Sequence, residues 1–178
     1  MKKIGVFLVE GFEPIEAIGI IDVLRRGKCD VEVISLTREL EVDGAHGIKL
    51  ICDKVSSKEE YFMMVMPGGK GTQNYLKCYE FLDYLKEHSE ENKYIAAICA
   101  APTVLDKLGI LKNKKYTCYP SLKSQVKTSN NFLESNVVID GHLITSAGPG
   151  TTLEFALKIL EIVKDKDVAK EVAAGLLL

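Results

Sequence analysis

Tyr94-Ile95-Ala96-Ala97-Ile98-Cys99-Ala100-Ala101-Pro102-Thr103-Val104-Leu105 joins two elements at a cysteine. Residues 94–98 form a continuous apolar run that reads as a buried strand. Residues 102–108 read as a helix with proline in its first turn, where a missing N–H costs nothing. Cys99 falls at the seam. There the free N–H groups and the positive end of the helix dipole favour a thiolate, so its pKa is expected below the free value of about 8.5. A strand–nucleophile–helix order also sets the side chain at the carboxyl edge of a sheet, where open α/β folds keep their sites. The plain alternative is a small cysteine filling a core gap.

Outward from this segment, strands and helices alternate. Residues 2–9, 30–36, 62–66 and 94–98 read as strands. Residues 14–26, 79–89, 102–108, 151–164 and 167–177 read as helices, and 121–127 as a short one. Residues 39–51 look like a β-excursion with Asp43-Gly44 as turn signal, and Asp140-Gly141 marks a hairpin between 137–140 and 142–146. Such alternation calls for a mostly parallel sheet covered on both faces. Repeats and linkers are absent, so residues 1–178 read as one domain. The apolar end, Ala173-Ala174-Gly175-Leu176-Leu177-Leu178, is expected to dock on something, a second subunit being one choice.

Composition narrows the function. The chain has 178 residues, 47% hydrophobic and 27% charged, with a net charge of −2. That balance gives no sign of a nucleic-acid binder. Met1-Lys2-Lys3 before an apolar run resembles the start of a signal peptide, but the run ends at Glu10 with no cleavage site. No stretch approaches the ~20 apolar residues that cross a bilayer. Five cysteines, at 29, 52, 78, 99 and 118, show no C-x-x-C spacing. A disulfide framework and a zinc site are therefore disfavoured, and a reducing cytoplasm is expected.

Two segments support the cysteine. In Glu10-Gly11-Phe12-Glu13-Pro14-Ile15-Glu16-Ala17, Glu16 falls in the first turn of a helix that follows strand one. Acids there suit the helix dipole, yet a parallel sheet aligns its strand ends and lets Glu16 approach Cys99. Met66-Pro67-Gly68-Gly69-Lys70-Gly71-Thr72 clusters glycines after a strand, which exposes N–H groups as an anion nest. It is not a nucleotide loop: Met64 stands where G-x-x-x-x-G-K-[ST] needs its first glycine.

These segments in this order, with Thr145-Ser146-Ala147-Gly148-Pro149-Gly150-Thr151, resemble the ThiJ/PfpI superfamily. Within it the chain is most similar to the DJ-type branch, which holds the parkinsonism-associated protein deglycase and its bacterial relatives. The motifs are G-x-E-x-x-E-A, the P-G-G turn, A-x-I-C-A-x-P and T-S-x-G-P-G-T, spanning Lys3 to about Val163. The resemblance implies a flavodoxin-like three-layer α/β sandwich, a cysteine nucleophile elbow and a homodimer. It implies Cys99 as nucleophile, Glu16 as the carboxyl bonded to its sulfur, and the N–H groups of Gly69 and Ala100 as an oxyanion pocket. Cys52 aligns with a cysteine near the dimer interface of relatives.

Departures matter too. Ala100 stands where protease-like members carry histidine, which disfavours a cysteine peptidase. Tyr119-Pro120 stands where the DJ-type branch can carry His-Pro, so a phenol replaces that proton-transfer partner. Ala147 replaces an arginine of some relatives. His46 could approach the site, from this chain or a partner subunit, although it, His88 and His142 read best as surface or structural residues. Cys118, just before Tyr119, is a candidate resolving thiol. A glutamine amidotransferase would need a downstream His–Glu pair, and none follows Cys99.

Two functions remain. In the first, Cys99 attacks a reactive carbonyl such as methylglyoxal, or its early glycated adducts, with Glu16 moving a proton and no metal or cofactor. This is glyoxalase or protein deglycase chemistry. In the second, Cys99 oxidises to sulfenate or sulfinate and regulates a sensor or chaperone-like surface.

Overall fold

The computed structural model describes residues 2–178, Ser129 in its backbone only. Met1, the first residue of the signal-like opening, lies outside the described residues. Seven strands run β1 (Lys3–Leu8), β2 (Asp30–Ser35), β5 (Lys54–Val55), β6 (Met63–Met66), β7 (Tyr94–Ile98), β8 (Val137–Asp140) and β9 (Leu143–Ser146). They order as β5-β2-β1-β6-β7-β9-β8. All neighbours are parallel except β8, which returns antiparallel on β9 through the expected hairpin. Helices α1 (Pro14–Arg26), α2 (Tyr79–Glu90), α3 (Pro102–Lys107), α4 (Thr152–Val163) and α5 (Lys166–Gly175) fill the outer layers.

Strand periodicity sorts the core. Ile4, Val6 and Leu8 of β1, with Met63, Val65, Ala96 and Ile98, face Ile20, Leu24, Phe155 and Ile159 of α1 and α4. Their alternates Phe7, Met64, Met66, Ile95 and Ala97 face Phe81 and Leu85 of α2 and Val104 and Leu105 of α3. Successive side chains thus enter opposite layers, as a sheet buried on both faces requires. The fold is an α/β sandwich of three layers.

The β-excursion becomes a separate hairpin of β3 (Glu41–Asp43) and β4 (Lys49–Ile51), closed by a turn over Ala45–Gly47. Gly11 N donates to Asp43 O at 2.7 Å and Ala45 N to Phe12 O at 2.8 Å, which ties the hairpin to the loop after β1. One expectation needs correction. The predicted helix at 121–127 is a 3-10 segment over Pro120–Gln125, because the proline start and short polar run never commit to α geometry. Of the surface and structural alternatives for His88 the structure takes the second: it is buried, and Nε2 sits 3.0 Å from Tyr94 O. Among the described residues no helix is long and apolar enough to cross a membrane.

Candidate active site

Strands β1, β6, β7 and β9 end at one edge of the sheet, so the loop after Leu8, the glycine turn after Met66, Cys99 and the segment after Ser146 converge there. Cys99 sits at φ +64°, a left-handed conformation costly for a side-chain-bearing residue. Its N–H donates to Ser146 O at 2.9 Å, and its carbonyl accepts from Tyr119 N at 2.8 Å. Both ends of the strained residue are therefore clamped. Cys99 is 8% exposed and opens onto a cleft of about 480 Å³.

The glycine turn is tightly fitted. A Cβ on Gly68 would stand 2.8 Å from Ala100 N and from Cys99 Cβ, and one on Gly69 (φ +110°) would stand 2.5 Å from Glu13 N and Gly11 O. Only glycine lets this backbone reach the elbow. The Gly69 and Ala100 N–H groups lie near enough to the Cys99 sulfur to favour its thiolate. Gly68 N donates to Glu16 Oε2 at 2.7 Å. Glu16 is fully buried. Its Oε1 has no hydrogen-bond partner, and the carboxyl lies close enough to Cys99 for each group to shift the other's protonation.

Burial pushes the Glu16 carboxyl up to about 7, opposed by the Gly68 N–H and by the bond to Cys99. Burial, followed by the charge and hydrogen bond of Glu16, pushes the Cys99 thiol up, and the Gly69 and Ala100 N–H groups pull it back. The expected depression of the thiol by the helix start is thus corrected: α3 has only six residues, and burial beside an acid outweighs its dipole. Two anions cannot share this site cheaply, so the pair keeps at least one proton across neutral pH.

The remaining predicted residues divide. Tyr119 lines the cleft, where its N–H holds the elbow carbonyl. Cys118 does not: it is fully buried in the layer under α2 and α3, its thiol pushed up to about 11 by burial. Cys52 is buried away from the cleft and likewise pushed up to about 11, by burial and then the charge of Asp53. His46 lies outside the cleft lining but 3.8 Å from Glu13 Oε2. Glu13 lines the cleft and received no role in the sequence. It is the N-cap of α1, its side chain accepting from Ile15 N, and its place before a proline-started helix is the one signal that could have found it. The T-S-x-G-P-G-T motif is structural: Thr117 N donates to Thr145 Oγ1 at 2.9 Å, and Ser146 Oγ lies 2.6 Å from Thr151 Oγ1. Among the described residues no group of three or more His, Cys, Asp or Glu gathers to hold a metal ion.

A parallel sheet, a strained cysteine between strand and helix, and a buried carboxyl on its sulfur define a class of α/β sandwich proteins with a cysteine elbow. The chain belongs to the DJ-1/PfpI family, whose profile matches residues 2–162. It is 40% identical to Protein dj-1beta of Drosophila melanogaster, covering 99% of this chain and 97% of that one. It is 36% identical to a Caenorhabditis elegans protein named Glutathione-independent glyoxalase DJR-1.2, covering 87% and 84%. The structure of oxidized Toxoplasma gondii DJ-1 superposes with a TM-score of 0.95 at 35% identity, covering 99% and 98%. The chain spans only 42% and 47% of two Arabidopsis thaliana relatives, Protein DJ-1 homologs B and A.

Proposed function

We propose that the protein converts small reactive carbonyls such as methylglyoxal, or their early glycated adducts, to hydroxy acids. The observation that carries this reading is the pairing of a buried Glu16, one oxygen of which has no hydrogen-bond partner, with the Cys99 thiol whose protonation it shifts. The thiolate adds to the aldehyde carbon and forms a hemithioacetal, while Gly69 and Ala100 N–H groups are the donors available to the developing oxyanion. Glu16 then moves a proton between the adjacent carbons, and water releases the acid. Tyr119 offers a phenolic donor from the cleft wall where relatives can have histidine. The name of the C. elegans relative supports the same chemistry. Turnover of methylglyoxal by the wild type but not by Cys99→Ser is the expected result; equal rates overturn the reading.

A second reading is favoured by the oxidized state named for the T. gondii relative. Here Cys99 is a redox sensor, with sulfinate oxygens accepting from the elbow N–H groups and a protonated Glu16. Graded peroxide followed by intact mass measurement should then stop at one sulfinate per chain.

Exposed Ile15, Ile18 and Leu153 on α1 and α4 support a homodimer, and light scattering at the monomer mass of 19.7 kDa would overturn that assignment. Five free cysteines support work in a reducing compartment such as the cytoplasm.

A further inference from the structure

The cleft is lined by a carboxyl, Glu13, that the chemistry above leaves idle. Glu16 is sealed from solvent, so it can pass a proton within the substrate but is poorly placed to draw one from an entering water. Glu13 lines the cleft with a side chain that reaches solvent. Its backbone is bonded to the turn that builds the site, with Glu13 N donating to Gly68 O at 2.9 Å. One oxygen, Oε1, accepts from Ile15 N at 3.4 Å. The other, Oε2, faces His46 Nε2 at 3.8 Å, with the Glu13 side chain 14% exposed and the His46 side chain 65%.

His46 is held there at a cost. It takes φ +59° in the turn of the β3–β4 hairpin, a left-handed conformation that glycine or asparagine would adopt more readily. The hairpin is bonded to the loop of Gly11 and Phe12, immediately before Glu13. A strained, exposed imidazole is thus brought over a cleft carboxylate by an appendage lying outside the main sheet.

We infer that Glu13 is the general base for the water that releases product, and that His46 is its positioning residue and proton outlet. This rests on the carbonyl reading, in which isomerisation leaves a 2-hydroxyacyl thioester on Cys99. The water oxygen bonds to the thioester carbonyl carbon while its proton passes to Glu13 Oε2. The carbon–sulfur bond then breaks, the hydroxy acid leaves, and the sulfur regains the proton held by Glu16. Glu13 hands its proton to His46 Nε2 and returns to the carboxylate. No electron transfer is involved, and water is the sole co-reactant.

The test follows the thioester itself. Enzyme is pulsed with methylglyoxal and quenched, and the lactoyl adduct on Cys99 is followed by intact mass. Glu13→Gln keeps an oxygen for Ile15 N, so α1 retains its cap, yet it cannot accept the water's proton. Its adduct should form at the wild-type rate and clear about 100-fold more slowly. His46→Asn tolerates the left-handed turn and lies on the surface; it should slow clearance severalfold and leave formation unchanged, a split that a merely structural role would not produce. Clearance at the wild-type rate in both variants overturns this inference alone. A wild type as inactive as Cys99→Ser overturns both it and the carbonyl reading.

Discussion

Two carboxyls of this chain meet opposite fates. Glu32, on β2, meets Lys3 Nζ at 3.0 Å, Lys54 Nζ at 2.6 Å and the Tyr61 hydroxyl at 3.0 Å. Burial acts to raise it, yet the hydrogen bonds from Lys54, Lys3 and Tyr61 outweigh that and hold it below the usual carboxylate range. Glu16, at the other end of the sheet, has no cation, one backbone N–H and a sulfur. Burial there wins and the carboxyl rises to about 7. One end spends its charges on stability; the other keeps an uncompensated acid, which serves only if a proton must be moved.

Glu16→Gln breaks the comparison most sharply. An acid whose folded pKa is raised binds more protons folded than unfolded, so its stability is complete below the ordinary 4.5 and lost as pH climbs through about 7. That displacement corresponds to about 3 kcal/mol at pH 8. The glutamine variant, which has no charge to bury, should melt several degrees above wild type at pH 8 and close to it at pH 4. Methylglyoxal turnover should fall about 100-fold or more, because an amide cannot carry the proton. Melting curves at the two pH values, beside one activity assay, check both halves. A variant that loses stability at pH 8 would mean that Glu16 is an ordinary structural acid.

Lys54→Met probes the opposite end with a smaller effect. It removes the pairs to Glu32 at 2.6 Å and Glu59 at 2.7 Å. Because Glu32 is held low, its contribution is present above pH 4.5 and lost as pH falls through its lower folded value. The variant should lose about 1 kcal/mol at pH 7, less in high salt, and leave turnover unchanged. Urea melts at low and high salt measure this. Altered turnover would join the two ends of the sheet energetically.

The sheet and the elbow were legible in the sequence because each rests on local pattern. The buried strands are continuous apolar runs, and Cys99 stands between a strand run and a proline-started helix. Glu16 was legible by its place after β1. The sign of the Cys99 shift was not, since it depends on how completely the fold buries two groups 83 positions apart. Cys118 read as a neighbour of the cleft because Tyr119 is one; along an extended backbone, successive side chains point to opposite sides, and its thiol enters the core. Glu13 and His46 meet only because a hairpin folds back on the first loop, a contact that no sequence period announces.

His88 offers the finest version of the comparison, as a buried base. Burial lowers its pKa more than the hydrogen bond to Tyr94 O raises it, and its Nδ1 has no partner. For Nε2 to donate to that carbonyl it must carry a proton, which in the neutral ring leaves Nδ1 bare. A base lowered in the folded state lends stability that is present above the ordinary 6.5 and lost as pH falls through its folded value. Glu16 thus weakens the fold on the alkaline side of neutrality, and His88 weakens it on the acid side, in a window above that of Glu32. His88→Gln retains a donor for Tyr94 O and removes the charge that acid would force into the core. Its stability should fall less than that of wild type between pH 6.5 and 5, with the two matching more closely at pH 8, by margins smaller than for either variant above. Parallel melting curves across that acid window would show instead that the imidazole reaches water without unfolding.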